Sequence, residues 1–221
     1  MTIKILLITA NIGNYDRPFY DVPEELSGVQ LLRICDSGDK EDFHRINKNT
    51  FLLSLQKQSL ISSRLISRIP KINPLFLFDA GFNPPSFFPA STELLNTVRC
   101  TLGEFDYLIW IDGNCKINSY SELVSICLNV SPNGWGIYSH PDRSCIFKEA
   151  RCVKGFDYVN HDVLSAQMHH YRTQHVPRNY GLYSCNFIIR SRVSLFQAQD
   201  LWNLWLNEFL RWVPRDQLSL P

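Results

Sequence analysis

The chain has 221 residues, of which 45% are hydrophobic and 19% are charged, and this composition excludes a disordered or fibrous protein. The length allows a substantial core, so we expect a single domain over residues 1–221. Residues 215–221 resemble the start of a further element, so one interpretation of the chain is a first domain or a fragment of a longer protein. The formal charge is +1 with Lys and Arg dispersed along the chain, so nothing indicates binding to nucleic acid.

The cysteines and the N-terminus predict a cytoplasmic protein without a transmembrane segment. Seven cysteines form no Cys-x-x-Cys pair and no spacing suited to structural zinc, which is typical of free thiols in a reducing compartment. The apolar residues 3–9 are too few to span a bilayer and lack the cleavage pattern of a signal peptide. We therefore interpret residues 3–9 as a first strand.

The first half of the chain predicts two strands, a long helix and an irregular segment. The strands are expected over residues 3–9 and 29–34, each followed by polar turn residues. Apolar residues at mixed three and four spacing predict a helix over residues 41–69 that Pro70 ends. Residues 73–92 contain four prolines and several aromatic residues and are expected to be irregular. Their rings are open to two interpretations, which are stacking on sugars and packing as a satellite core.

The second half predicts strands that alternate with helices. Helices are expected over residues 92–102, 119–128, 145–154, 163–171 and 195–212, and strands over residues 107–111, 134–138 and from the turn at 181 to 190. Such alternation indicates an α/β fold with a mainly parallel central sheet and helices on both faces.

The most informative stretch is Phe105–Asn114. Residues 107–111 are apolar or aromatic without alternation, which is typical of a strand buried on both faces, and the run ends on Asp112, Gly113 and Asn114. In open α/β sheets, ligands bind at the carboxyl edge of such strands. Asp-Gly between two apolar runs is also a strong hairpin signal, and this stretch alone supports the hairpin at least as well as a functional site.

Weaker signals follow the other predicted strands and the first helix. The loop after the first strand has a single glycine and no G-x-G-x-x-G pattern, so it indicates nucleotide binding only weakly. Asp36 follows the second strand and could contact a ribose or a base, although a lone Asp there is more often a turn residue. Arg68 and Lys71 are solvated charges by default, and phosphate ligands if the helix points at the site.

Five stretches, in order, resemble a known family. They are residues 8–16, 110–114, 140–143 with 149–150, 181–182 with 187–190, and 215–219. Together they resemble the glycosyltransferase-like domain of plant mucilage-related transferases, which has related domains in bacteria and large algal DNA viruses. The resemblance implies a GT-A, Rossmann-like fold that holds a nucleotide-diphosphate sugar, UDP-linked by preference, at the carboxyl edge of its sheet. It also implies Mn²⁺ or Mg²⁺ bridging the diphosphate to a D-x-D motif.

Carried over to this sequence, the motif departs from D-x-D. Asp112 takes the position of the first carboxylate and Asn114 that of the last. An Asn amide oxygen binds a hard cation less strongly than a carboxylate does, so metal dependence is open. His140 is a third metal candidate, although a His after a strand is more often a hydrogen-bonded structural residue.

The resemblance further implies donor contacts from the first loop and from polar or aromatic residues along the chain: Asn11, Gly13, Tyr15, Asp16, Asp36, Arg68, Lys71, Trp110, Asp112, Arg143 and Arg215. Asp216 is the candidate general base for an inverting transfer, with a helix N-cap as its structural alternative. Glu149 is expected to brace Arg143 rather than to contact the donor sugar.

The resemblance therefore implies a metal-dependent glycosyltransferase that moves a hexose or deoxyhexose from a nucleotide-diphosphate sugar to a glycan hydroxyl. Two alternatives stay open. One is a hydrolase of nucleotide sugars or lipids, and the other is a non-catalytic carbohydrate-binding module in which Phe82, Phe87 and Phe88 grip the sugar. The sequence indicates neither the sugar transferred nor the oligomeric state.

Overall fold

The computed structural model describes residues 2–13, 22–23, 26–36, 38, 40–58, 60–115, 117, 119–130 and 134–220. Two predicted donor residues, Tyr15 and Asp16, lie outside them. The chain divides into a first unit, Met1–Gly136 with Asn186–Gln199, and a second unit, Ile137–Cys185 with Asp200–Pro221. The single domain over residues 1–221 stays a prediction.

Within the described residues, seven strands form one mixed sheet. The strands are β1 (Ile5–Asn11), β2 (Val29–Asp36), β3 (Asp42–Arg45), β4 (Thr50–Leu55), β5 (Tyr107–Ile111), β6 (Trp135–Ser139) and β7 (Tyr183–Ser191), and their order is β3-β4-β2-β1-β5-β7-β6. The pairs β1–β2, β1–β5 and β2–β4 are parallel, whereas β3–β4 and β5–β7 are antiparallel. The α/β class is thus confirmed, but the sheet is mixed where a mainly parallel one was expected. The GT-A assignment stays a prediction.

The helices of the described chain are α1 (Ser63–Ile72), α2 (Thr92–Leu102), α3 (Tyr120–Asn129), α4 (Ile146–Val153), α5 (His161–Thr173), α6 (Arg192–Gln197), α7 (Gln199–Arg211) and α8 (Asp216–Ser219). Side chains of Ser91, Ser119 and Asn160 accept hydrogen bonds from first-turn N–H groups and so begin α2, α3 and α5. The single helix expected over residues 195–212 is divided at Ala198. No helix in the described ranges has the length and apolar character needed to cross a membrane.

The helix predicted over residues 41–69 is wrong in its first half. The chain forms the antiparallel pair β3–β4 there, and α1 begins only at Ser63. β4 lies between β2 and β3, and its Phe51, Leu53 and Leu55 are buried. A short apolar run of this kind fits a buried strand as well as a helix, because periodicity does not distinguish the two.

Pro70 does not end the helix, because it lies inside α1. Proline has no N–H to bond the carbonyl four residues earlier, which costs about 3 kcal/mol in a regular helix interior. Ile66, Ile69 and Ile72 are all buried on α1, and their packing supports the helix through the proline.

The irregular segment after α1 contains a 3-10 turn, Pro74–Leu77, and packs several of its rings inward. The rings of Phe76 and Phe88 are both buried, with centroids 4.9 Å apart. Phe78 packs edge-on against Phe105 at 5.0 Å. These rings therefore follow the satellite-core interpretation.

The centre of the sheet determines which residues lie at its carboxyl edge. All five residues of β5 are buried, so both of its faces are covered, as the unbroken apolar run predicted. Since β1, β2 and β5 are parallel, Asn11, Asp36 and Asp112 mark neighbouring strand ends at one edge. Asp112 begins a turn in which the Cys115 N–H bonds its carbonyl at 2.9 Å. The hairpin interpretation is wrong, because the antiparallel partner of β5 is β7.

Candidate active site

Asp112 lies one residue beyond β5, and its carboxylate is held by two side chains. The Trp110 indole donates to Oδ1 at 2.6 Å, and the Lys71 ammonium lies 3.1 Å from Oδ1 and 3.4 Å from Oδ2. Only 2% of the Lys71 side chain is exposed, against 15% of Asp112. The Asp112 N–H donates to the Asn186 carbonyl at 2.9 Å. We call the side chains of Lys71, Trp110 and Asp112 the edge cluster. In it, the Asp112 carboxylate is partly exposed and its counter-ion, the Lys71 ammonium, is buried.

The position of Lys71 is set by the end of α1. The buried Arg190 guanidinium, from the interior of β7, donates to the Lys71 carbonyl at 2.9 Å and to the Ile72 carbonyl at 3.2 Å. Carbonyls in the last turn of a helix lack partners within the helix, so Arg190 completes this end. Sequence reasoning missed Arg190, although an Arg inside an apolar strand indicates a buried charge that must be paired.

The loop after β1 is tied to the end of β2. The Gly13 N–H donates to Asp36 Oδ1 at 3.0 Å. Gly13 has φ 74°, and a Cβ there would lie 2.5 Å from the Ser63 hydroxyl at the start of α1. Glycine is therefore required both by the left-handed backbone and by the close approach of α1. The Asp36 carboxylate serves the turn, and its contact with a ribose stays a prediction.

The first unit thus gathers several predicted donor residues. Asn11, Gly13 and Asp36 lie at the carboxyl edge of the parallel strands, and Lys71 contacts Asp112 there. Arg68, three residues before Lys71 on α1, is 8% exposed and so is not a solvated surface charge.

The residues around Asp112 fit a divalent cation poorly. The charge of Asp112 is already balanced by the Lys71 ammonium, and its Oδ1 accepts from Trp110. Asn114 is exposed and supplies only a neutral oxygen, which accepts a weak bond from the Cys115 thiol at 3.5 Å. Nowhere in the described ranges do three or more His, Cys, Asp or Glu side chains cluster with metal-binding geometry. The metal stays a prediction of the resemblance, and no chemical step is assigned to it.

A second cluster of charges lies in the second unit, around Glu149 on α4. Arg143 Nε donates to Glu149 Oε2 at 2.6 Å, and Arg215 Nη2 donates to Oε1 at 2.7 Å. Glu149 is fully buried, whereas 27% of the Arg143 side chain and 22% of the Arg215 side chain are exposed. The expected bracing of Arg143 is confirmed, and Arg215 shares the same carboxylate. We call these three residues the glutamate cluster.

The charge of Arg215 is secured by its neighbours. Burial would lower the pKa of its guanidinium, but the charges of Asp216 and Glu149 and the hydrogen bond to Glu149 raise that pKa above its usual value. Arg215 therefore remains a cation whose side chain is partly exposed.

His140 is held inside the turn that carries Arg143. Its Nδ1 accepts from the Asp142 N–H at 3.1 Å, and its Nε2 lies 2.8 Å from an Arg143 guanidinium nitrogen. A neutral imidazole has one acceptor nitrogen, so only one of these contacts is a hydrogen bond in that state. The structural role weighed for His140 is the one observed, and metal ligation by His140 stays a prediction.

Asp216 is the first residue of α8 and is 4% exposed. Its Oδ1 accepts from the Gln217 N–H at 3.1 Å, and its carbonyl accepts from the buried Trp205 indole at 3.1 Å. The N-cap interpretation is wrong by one position, because Arg215 is the cap residue and makes no side-chain cap bond. The catalytic base role of Asp216 stays a prediction, since a base must reach the proton it takes.

The cysteines form no disulfide, and all seven lie in the described part of the chain. A reducing compartment stays a prediction, because this observation does not establish where the protein is found.

Taken together, the fold and the edge cluster define an α/β protein with a charged candidate ligand site at the carboxyl ends of parallel strands. Residues 99–221, more than half of the chain, match the TOD1/MUCI70 glycosyltransferase-like domain, and the chain belongs to this family. The resemblance found in the sequence is thereby confirmed. The match contains Trp110, Asp112 and the glutamate cluster, and it begins after the first motif and after Lys71. No curated protein matches the chain.

Proposed function

We propose that this protein is a glycosyltransferase that moves a hexose or deoxyhexose from a UDP-sugar to a glycan hydroxyl with inversion. The observation that carries the proposal is the edge cluster, in which a buried strand presents the Asp112 carboxylate at the sheet edge with Lys71 as its counter-ion. Membership of a glycosyltransferase-like family supports the same reaction class.

The chemistry of the edge cluster suits a sugar nucleotide. A carboxylate accepts hydrogen bonds from ribose or sugar hydroxyls, and its orientation is fixed because Trp110 and Lys71 hold it. Lys71 also removes the net negative charge that would repel a diphosphate. The Asp36 carboxylate, which accepts from the Gly13 N–H, lies at the same edge and is a second candidate acceptor for ribose hydroxyls.

The transfer itself needs charge stabilisation and a base. The bond between the anomeric carbon and the diphosphate oxygen breaks as an acceptor oxygen attacks, and the acceptor proton goes to a carboxylate. We assign the base role to Asp216 and diphosphate contacts to Arg143 and Arg215, whose side chains are partly exposed and whose guanidinium groups suit phosphate oxygens.

Calorimetric titration with UDP and common UDP-sugars, with and without Mn²⁺, tests the proposal. We expect saturable binding that Asp112→Asn weakens, while Asp157→Asn, at an exposed position, leaves it unchanged. Failure to bind any common nucleotide diphosphate would contradict the proposal. Binding only with Mn²⁺ would support the metal expected from the resemblance, and equal binding without it would leave Lys71 as the counter-charge.

Turnover distinguishes the transferase from a hydrolase. We expect UDP release to depend on an added glycan, and Asp216→Asn to keep donor affinity while turnover falls by orders of magnitude. Release of free sugar that no glycan affects would indicate hydrolysis instead. Unchanged turnover of Asp216→Asn would remove that residue from the mechanism.

A further inference from the structure

The second unit contains a cavity of about 490 Å³ whose lining carries five basic side chains. They are Lys148, Arg151, Lys154, Arg172 and Arg178, and the lining includes no Asp or Glu. We call this the basic cavity. The whole chain has a formal charge of only +1, so the local excess of positive charge is large.

These five charges lack the partners that other cations of the chain have. None forms an ion pair with a carboxylate of the described residues, whereas Arg143 and Arg215 share Glu149. Lys148 and Arg151 lie three residues apart on α4, and Lys154 follows at the same spacing as its C-cap residue, so all three line the cavity from one side of the helix. Like charges at this spacing destabilise a helix by about 0.2–0.5 kcal/mol per pair.

Favourable interaction with helix dipoles explains only part of this arrangement. Arg151 and Arg172 lie in the last turns of α4 and α5, and Lys154 follows α4, where cations are stabilised. Lys148, by contrast, lies in the first turn of α4, and Arg178 lies outside any helix. Their placement around the same cavity therefore has another cause.

The floor of the cavity also favours negative charge. The Arg172 guanidinium lies 5.3 Å from the centre of the Phe147 ring, which orients it. Burial raises the pKa of the Cys145 thiol, but backbone N–H groups of Asn179, Lys148 and Phe147, with the Lys148 charge, lower it below the usual value overall. The Cys145 thiol on this lining therefore lies in surroundings that favour negative charge.

We propose that the basic cavity binds a ligand that carries two or more phosphate groups. Five cations are more than a ligand with a single carboxylate would need for charge balance, and the guanidinium groups of arginine match the geometry of phosphate oxygens. The volume lies within the roughly 300–1,000 Å³ of small-molecule sites. Such a ligand comes either from solution, as a diphosphate compound, or from a lipid whose head group is phosphorylated. This site goes beyond the proposed donor site, because the five cavity cations include none of the residues assigned to the donor, such as Lys71, Asp112, Arg143 and Arg215.

Titration with inorganic pyrophosphate tests the site. We expect the wild-type protein to bind it, and Lys148→Gln with Lys154→Gln to weaken binding about tenfold or more, or about 1.4 kcal/mol. The matched control is Lys48→Gln with Lys57→Gln, which removes two exposed lysines outside the cavity and should leave affinity unchanged. No binding by the wild type, or equal loss in both double variants, would overturn the proposal.

A second double variant, Arg151→Gln with Arg178→Gln, checks the site from two different segments. All four substituted positions are exposed, so we expect wild-type thermal unfolding from both cavity variants. Weakened binding in both, with unchanged unfolding, supports the site, and wild-type affinity in this second variant would overturn it.

Vesicles identify the source of the phosphate. We would test cosedimentation with vesicles of phosphatidylcholine that contain a phosphatidylinositol bisphosphate, and with vesicles of phosphatidylcholine alone. Cosedimentation with the first vesicles only, and its loss in the cavity variants, would indicate a phosphorylated lipid. Pyrophosphate binding without cosedimentation would indicate a soluble ligand. Titration of Asp112→Asn with a UDP-sugar reads the donor site separately, so failure of one proposal does not mimic failure of the other.

Discussion

The edge cluster and the glutamate cluster each pair one buried ion with partly exposed ions of the opposite charge, but the sign of the buried ion differs between them. In the edge cluster the buried ion is the Lys71 ammonium, and the carboxylate of Asp112 is exposed by 15%. In the glutamate cluster the buried ion is the Glu149 carboxylate, and Arg143 and Arg215 are exposed by 27% and 22%. One cluster therefore presents hydrogen-bond acceptors, which suit hydroxyl groups, and the other presents cationic donors, which suit phosphate or carboxylate oxygens.

In each cluster, the buried ion stabilises the arrangement, and the partly exposed ion is the one that can contact a ligand. Glu149 pairs with two guanidinium groups, so its removal leaves two charges without a partner, whereas removal of Lys71 leaves only the Asp112 carboxylate, which water reaches in part. Stability should therefore depend mainly on Glu149 and Lys71, and ligand binding on the exposed partners.

The largest effect is expected for Glu149→Gln. The change keeps the shape of the side chain and leaves two guanidinium groups without a carboxylate, at a cost of about 3–5 kcal/mol. Urea unfolding with a constant denaturant slope measures it. Glu104→Gln is the control, because that side chain is 89% exposed, and its effect should stay within about 0.5 kcal/mol. Equal free energies of unfolding for Glu149→Gln and Glu104→Gln would show that the buried ion does not stabilise the glutamate cluster.

A smaller loss, about 2–3 kcal/mol, is expected for Lys71→Met. The unpaired Asp112 carboxylate is partly exposed, so water compensates some of the lost interaction. The same variant should lose UDP-sugar binding, because the diphosphate then meets an uncompensated carboxylate. Lys4→Met, at a side chain 59% exposed, should change neither property. Retained donor affinity in Lys71→Met would show that Lys71 does not serve the site.

Trp110→Phe should cost more than the equivalent change at Trp205. Both indoles are buried, but Trp110 donates to a carboxylate and Trp205 to a neutral carbonyl. Hydrogen bonds to charged groups contribute about 1.5–3 kcal/mol against about 1 for neutral ones, so the difference between the variants should be about 1 kcal/mol. Equal losses in thermal or urea unfolding would mean that only ring packing matters at residue 110.

The smallest effect is expected for Arg143→Gln, about 1 kcal/mol, because Arg215 still pairs with Glu149. Urea unfolding beside Glu149→Gln gives the direct comparison. A loss as large as that of Glu149→Gln would show that both ions of the pair hold the cluster.

Local patterns predicted the strand that delivers Asp112, because an unbroken apolar run ending on Asp-Gly leaves few interpretations. They failed over residues 41–55, where the apolar run of β4 is too short for its period to distinguish strand from helix. They also placed a helix end at Pro70, which the packing of α1 overrides.

No local sequence pattern could predict the ion pairs between residues that are far apart along the chain. Lys71 and Asp112 are 41 positions apart, and Glu149 and Arg215 are 66 apart. The sequence left Lys71 open between a solvated charge and a phosphate ligand, and only the fold shows that its ammonium faces Asp112. In the same way, only the fold shows that the buried Arg190 of β7 donates to a carbonyl at the end of α1.

The most direct test of the central claim is a crystal structure of the protein soaked with UDP and Mn²⁺. We expect nucleotide density at the carboxyl edge of β1, β2 and β5, with the Asp112 carboxylate in contact with the ligand and Lys71 still paired to Asp112. Nucleotide bound elsewhere, with the edge around Asp112 free of ligand, would contradict the account.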